Sequence, residues 1–165
     1  MKILFRLLLV AALLAPGFWL WTFLFPGPEN IIRRQLAGLA RTATFVEKEN
    51  PIARVLKAQK VVNFFSPDAQ LIFDLPGVGR RTLTGRDELT ESATAGFATM
   101  RSLAVEFLDV TIQLAPSKQS ADVELTAKVR SGDSKDFGVQ EMRFVLKKID
   151  GHWLIVRLET VKTLS

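Results

Sequence analysis

Cysteine and tyrosine are both absent from this 165-residue chain, and histidine occurs once, at position 152. Without thiols there can be no disulfide, no thiolate metal site and no lipid-modified N-terminal cysteine. The absence fits a domain exported from a bacterial cytoplasm. A large charge excess is missing too: 22 Lys and Arg face 17 Asp and Glu, and two of the cations, Lys2 and Arg6, stand at the extreme N-terminus. The remainder carries 20 against 17, which is weak for a nucleic-acid-binding face, where basic residues cluster. The pairs Arg33-Arg34, Arg80-Arg81 and Lys147-Lys148 fall in different segments and read as solvated surface charge. A nucleic acid is therefore not an expected partner. Gly77-x-Gly79 lacks the third glycine and the strand-to-helix setting of a dinucleotide site. Internal repeats and low-complexity linkers are also missing.

What is present is one long apolar run. Residues 7–25, LLLVAALLAPGFWLWTFLF, contain no charge and follow Lys2 and Arg6. At about 1.5 Å per residue they would form a helix of roughly 28 Å, close to the bilayer's hydrocarbon thickness of about 30 Å. A cleaved signal peptide begins the same way, but the only near-match to a small-residue cleavage site ends at Ala15, with Leu13 before it and Pro16 after it. Cutting there would leave GFWLWTFLF at a new, greasy N-terminus. Trp19 and Trp21 suit the aromatic belt of a membrane interface, and Pro16-Gly17 is tolerated in membrane helices. The expectation is an uncleaved signal anchor, residues 1–27, in the cytoplasmic membrane, with membrane lipid as the partner of residues 7–25. Lys2 and Arg6 put the N-terminus inside and the domain, residues 28–165, on the periplasmic or extracytoplasmic side. About 140 residues are enough for one domain with a single core. Held there, the domain could have a modest attraction to anionic headgroups.

Beyond PGPEN (26–30), Ile32, Leu36, Leu39, Ala43 and Val46 recur at helical spacing, with Arg33, Arg34 and Arg41 on other faces, which predicts an amphipathic helix over 29–47. Asn50-Pro51 reads as N-cap and first residue of a second helix, 51–65, burying Ile52, Val55, Leu56, Val62 and Phe65. Ser66-Pro67-Asp68 should end it as a turn. Leu71, Phe73 and Leu75 alternate with Gln70, Ile72 and Asp74 as a strand, PGVGRR (76–81) turns, and Thr82-Leu83 begins a return strand. Thr84 and Asp87 form a capping pattern for a third helix, 85–100, burying Leu89, Ala93, Phe97 and Met100. Long strands follow. From Ala121 to Arg130 apolar and polar residues alternate without a break, giving one buried and one wet face of an antiparallel sheet. In 103–115 the apolar positions switch from odd (Leu103, Val105, Phe107) to even (Leu108, Val110, Ile112, Leu114). Such a switch needs one extra residue in the pairing, so a β-bulge is predicted between Glu106 and Asp109. Strands 140–148 and 153–162 close as a hairpin on Asp150-Gly151. The last strand begins apolar on both faces, as a central strand does.

This order, with FFSPDAQLIFDLPG (64–77), LTGRDEL (83–89) and IDGHWLIVRLETV (149–161), resembles the nuclear transport factor 2-like superfamily, which includes ketosteroid isomerase and polyketide cyclases. The resemblance covers about residues 30–163. It implies an α+β domain, three helices packed on a strongly bent, mainly antiparallel sheet, behind the N-terminal transmembrane helix. It also implies a conical cavity, whose lining here would draw on Phe73, Phe97, Phe107, Met142, Phe144 and Trp153. A membrane helix followed by such a cone is similar to scaffold subunits of bacterial secretion machines.

Enzymes on this fold use an Asp or His base in an apolar pocket with a Tyr or acid opposite. Here Tyr is absent, and His152 follows the Asp150-Gly151 turn, where a side chain is normally solvated. Asp74 has the parity of Gln70 and Ile72, away from Phe73, and reads as a strand-end surface carboxylate. Glu106 and Asp109 sit beside the expected bulge, without an identifiable partner. Asp68 reads as a turn-former, and Asp87-Glu88 as a pair favouring a helix N-terminus. No catalytic residue, metal site or cofactor is assigned. The expected function is a membrane-anchored interaction or scaffold module, forming a homodimer or engaging an envelope protein through its sheet. The alternatives are a binder of a small apolar ligand in the cavity, or an isomerase or dehydratase of the ketosteroid isomerase kind.

Overall fold

A computed structural model of the chain describes residues 27–75, 79–132 and 138–161. The expected membrane segment, residues 7–25, lies outside the described residues, as does the 76–78 half of the expected 76–81 turn. Among the described residues no helix is long and apolar enough to cross a membrane. The chain divides into two compact units, residues 1–31 and 32–165, and the packing below belongs to the second.

Among the described residues three helices and six strands follow one another: α1 (Pro28–Ala43), α2 (Pro51–Val62), β1 (Phe65–Leu75), β2 (Gly79–Thr84), α3 (Gly85–Thr99), β3 (Leu103–Leu114), β4 (Ser120–Ser131), β5 (Gly138–Ile149) and β6 (His152–Thr160). The strands form one sheet in the order β2-β1-β6-β5-β4-β3. Every neighbouring pair is antiparallel except β1 with β6, which run parallel. This is the expected mainly antiparallel α+β architecture, with β6 central. The helices bury Ile32, Leu36 and Leu39 of α1, Val62 of α2 and Leu89 of α3 against inward residues of the sheet, including Val123, Leu125, Phe144, Leu146, Trp153 and Ile155. A smaller cluster gathers Phe45, Ala58, Phe97 and Leu103.

Local chemistry explains where the elements stop. The first helix was expected to reach residue 47 but ends at Ala43. Phe45 leaves it to bridge Leu103, exchanging N–H···O bonds of 2.8 and 3.0 Å, and buries its ring on Phe97 with centroids 5.0 Å apart. Val46 is consequently exposed. Helix α2 starts as the sequence implies, with the Asn50 side chain accepting from the Ile52 N–H at 2.9 Å, but it ends at Val62 rather than 65. Its inward face also differs from the expected one: Ala58 and Val62 are buried, whereas Ile52 and Leu56 stand in solvent. Small Ala58 allows the close approach, which rotates the larger aliphatics outward. Phe65 belongs to β1.

The Ser66-Pro67-Asp68 stretch is not a turn between elements but an irregularity inside β1. Phe65 pairs with Ile155 and Gln70 with Arg157, so six residues of β1 span three of β6. Pro67 has no N–H to give to a ladder, and a bulge is where a strand tolerates that. Before α3, Thr84 makes no side-chain cap; its N–H instead donates to the Glu88 carboxylate at 2.7 Å. Gly85, at φ +83, turns the chain between them, which brings Glu88 rather than Asp87 back to the helix start. Met100, expected inside, is partly exposed beyond the last turn of α3.

The β3 bulge is present, slightly beyond its expected place. From Leu108 to Thr111 on β3 the partner moves only from Thr126 to Glu124, and Asp109 takes a left-handed φ of 51°. Aspartate is among the few residues that adopt this conformation readily. A second bulge lies at Val156 of β6, where Val145 pairs with Arg157 and Leu146 with Ile155. It lets Trp153, Ile155 and Leu158 all turn inward. The β5–β6 hairpin closes on Asp150 and Gly151, both at positive φ, as a two-residue primed turn requires.

Candidate functional site

Strand β3 is an edge of the sheet, and an unpartnered edge must be managed. Its first half is covered by the segment after α1: Phe45 bridges Leu103, and the Val105 N–H donates to the Thr44 hydroxyl at 3.1 Å. At the bulge, Arg33 of α1 donates from Nη1 to the Val110 carbonyl at 2.9 Å. Between these two ties α1 and β3 part, leaving an open groove of about 660 Å3. Its apolar wall is Leu36, Ala37 and Ala40 from α1 with Val105, Phe107 and Val110 from β3. Arg33, Arg34 and Arg41 stand along the helix side, and Thr44 and, on β3, Glu106 complete the lining.

The groove exists because of residue size. Ala37 sits between Arg34 and Arg41 on one helical stripe, and its methyl leaves space that a longer side chain would fill. Arg41 bends back onto its own helix, Nε donating to the Ala37 carbonyl at 3.2 Å.

The six aromatic and thioether residues expected to line a cavity are distributed as follows. Phe144 and Trp153 are buried in the main core, with Phe73, Phe107 and Met142 packed against it. Phe107 meets Phe144 edge-on, centroids 5.8 Å apart. Phe97 belongs to the smaller cluster with Phe45. Of the six, Phe107 lines the groove, and Met142 borders a separate hollow of about 270 Å3 beside the bulge. Gln35 of α1 donates its side-chain amide to the Trp153 carbonyl, fixing the helix over the central strand.

The carboxylates considered from sequence do not converge through the sheet. Asp74 is on β1, while Glu106 and Asp109 are on β3, with β6, β5 and β4 between. The Asp74 N–H donates to the Thr160 hydroxyl at 2.9 Å. Asp109 borders the smaller hollow, whose polar wall includes Glu124, Glu141 and Arg143. There the Glu124 carboxylate bonds Arg143 at 2.8 Å and pushes that guanidinium further towards its charged form. His152 is exposed at the start of β6. Asp68 is held below the usual carboxylate range, first by the Ser66 hydroxyl that donates to it at 2.8 Å. Among the described residues no three His, Asp or Glu side chains gather as metal ligands.

Sequence reasoning placed Arg33, Arg34 and Arg41 on the helix surface and did not connect them to β3. The available signal was the small Ala37 between two arginines, but only the register of α1 against an edge strand some seventy positions later gives it meaning.

Comparison with known proteins yields a fold. No family model matches the chain, and neither does any curated sequence. Solved structures do. A domain of unknown function with a cystatin-like fold from Nostoc punctiforme aligns with a TM-score of 0.65 at 19% identity, over 86% of this chain and 80% of that one. A proposed scytalone dehydratase from Novosphingobium aromaticivorans gives 0.61 at 18%, over 82% and 84%. A nuclear transport factor 2-like protein of unknown function from Pseudomonas putida gives 0.63 at 11%, over 81% and 85%. The class that these likenesses define is the nuclear transport factor 2-like, cystatin-like α+β fold, as the sequence resemblance implies. At these identities the likeness is one of fold alone.

Proposed function

We propose that this chain is a non-enzymatic binding module, tethered by residues 7–25 to the outer side of the cytoplasmic membrane, which takes up a small molecule with an apolar body. The observation that carries the reading is the groove between α1 and β3, about 660 Å3 in volume. Small-ligand sites typically measure roughly 300–1,000 Å3 and combine an apolar lining with a few polar groups. Behind the groove, Phe144, Leu146 and Ile155 are essentially inaccessible to solvent, whereas the groove itself is open at the sheet edge. The tether and its orientation rest on the uncharged run and the two preceding cations.

Filling the groove tests the reading. Ala37 is exposed, so Ala37→Trp can occupy the space without overpacking the core. In native mass spectrometry of the full chain released from lipid nanodiscs, the native protein should carry a bound small molecule and the variant should not. A native chain with no added mass, or a variant that retains it, overturns the reading.

A second reading is self-association or envelope-protein binding through the outer sheet face. Its support is the run of opposite charges on neighbouring strands: Glu124 and Arg143 at 2.8 Å, Arg143 and Glu159 at 3.8 Å, Arg157 and Glu159 at 2.9 Å. A second copy or partner could exchange these pairs. Crosslinking in membranes should then give a defined species that Arg143→Glu removes, and a chain monomeric at every density rejects it.

A further inference from the structure

We infer that the groove's ligand is an anionic amphiphile, a single apolar chain carrying a carboxylate or phosphate head; the inference rests on the groove being a binding site. Three guanidiniums, Arg33, Arg34 and Arg41, border it from one helix, and Glu106 of β3 is the single carboxylate in its lining. Arg33 to Arg41 spans about 12 Å along the helix at about 1.5 Å per residue, short enough for the three charges to act on one ligand. Glu106 offsets one charge and leaves about two. Part of the Arg33 head is committed to the Val110 carbonyl, and Arg41 donates Nε to its own helix. Arg34 has no hydrogen-bond or ion-pair partner among the described residues.

The apolar part of the lining includes Ala37 from the helix and Phe107 from the strand. A purely apolar molecule would leave the guanidiniums unanswered, and a small inorganic anion would leave the apolar wall wet. A head accepting from Arg34 and Arg41, with its chain laid against Ala37 and Phe107, answers both. Arginine suits this head, because its planar fork meets carboxylate and phosphate oxygens two at a time. Free fatty acids and one-chain phospholipids present the same chemistry.

The test uses the full chain in phosphatidylcholine nanodiscs and a diazirine-bearing sixteen-carbon carboxylate as photoprobe. Label mapped by peptide mass spectrometry should fall on the segments containing Ala37 and Phe107. Arg34→Glu with Arg41→Glu should reduce it about tenfold, the factor that about 1.4 kcal/mol of lost binding corresponds to. Arg34→Lys should keep most of it. Both arginines are exposed, so the fold should survive, which circular dichroism checks. Competition by oleate alone identifies a free carboxylate, and competition by lysophosphatidylglycerol alone identifies a headgroup; either supports the inference. A neutral probe, the matching diazirine alcohol, separates the two levels of the argument. Equal labelling by alcohol and acid, unaffected by the arginine changes, overturns the anionic preference while leaving the groove a binding site. Absence of label from both removes the site as well.

Discussion

Ser66 is the one polar residue in the buried core of β1, and its hydroxyl has a single use: it donates to the Asp68 carboxylate two residues on. A buried hydroxyl without a partner costs about 1–3 kcal/mol, so this local bond lets Ser66 sit inside the irregular stretch. It also favours the charged form of Asp68, whose folded-state pKa is lowered. A depressed carboxylate contributes stability above its unfolded pKa and loses it as pH falls through the folded value. Ser66→Ala should therefore raise the Asp68 pKa towards its ordinary value, measurable by carbon-detected NMR titration, and shift the acid limb of unfolding to higher pH. An unchanged Asp68 titration would show that the hydroxyl bond is not what holds it down. Asp109 illustrates the other kind of residue-scale requirement. Its left-handed φ of 51° is what the bulge needs, and a β-branched side chain there would be strained.

Among elements, the junction of α1, α2 and α3 depends on Arg54. From α2 its Nε donates to the Glu49 carbonyl at 3.1 Å, Nη2 to Glu47 at 3.0 Å and Nη1 to Met100 at 2.9 Å. The guanidinium also lies 5.7 Å from the centre of the Phe45 ring. One side chain thus closes the loop before α2 and receives the end of α3. Arg54→Ala should lower unfolding free energy by about 2 kcal/mol, and Arg54→Lys should recover little, because an ammonium cannot reach three carbonyls in one plane. Chemical denaturation of the full chain, followed by the circular dichroism of its α+β domain, measures both; a lysine variant as stable as the native chain would refute the fork.

The strands were the most legible elements. Ala121 to Val129 alternate inward and outward as written, and the switch of parity in 103–115 does mark a bulge. The same switch between Ile155 and Leu158 marks the bulge in β6, but a strand apolar on both faces hides it. Helical phase was less legible. Ile52 and Leu56 have the spacing of a core face, yet the smaller Ala58 took that place because it permits closer packing. Phe45 was drawn out of α1 by Leu103, a contact no local window contains. The groove belongs to the same category, since its two walls are distant in sequence and its emptiness depends on Ala37.

At the scale of the whole molecule, the sheet order places the first strand beside the last. β1 pairs in parallel with β6, and the Ile155 N–H also donates to the Phe64 carbonyl at 2.9 Å. Within the sheet, the β1–β2 hairpin is joined to β5, β4 and β3 through β6. Removing residues 150–165 should abolish cooperative unfolding altogether, seen as loss of a sigmoidal denaturation curve, whereas a truncated chain that still melts sharply would show two independent halves. Pairing across so long a separation also slows folding, towards the millisecond-to-second range of non-local topologies. A ribosome, or a translocation channel, that has released everything up to the final hairpin has still delivered no finished sheet. The N-terminal portion must wait, with its apolar strand faces uncovered, for β6 to arrive, so any chaperone that shelters this chain would be needed until that strand has emerged.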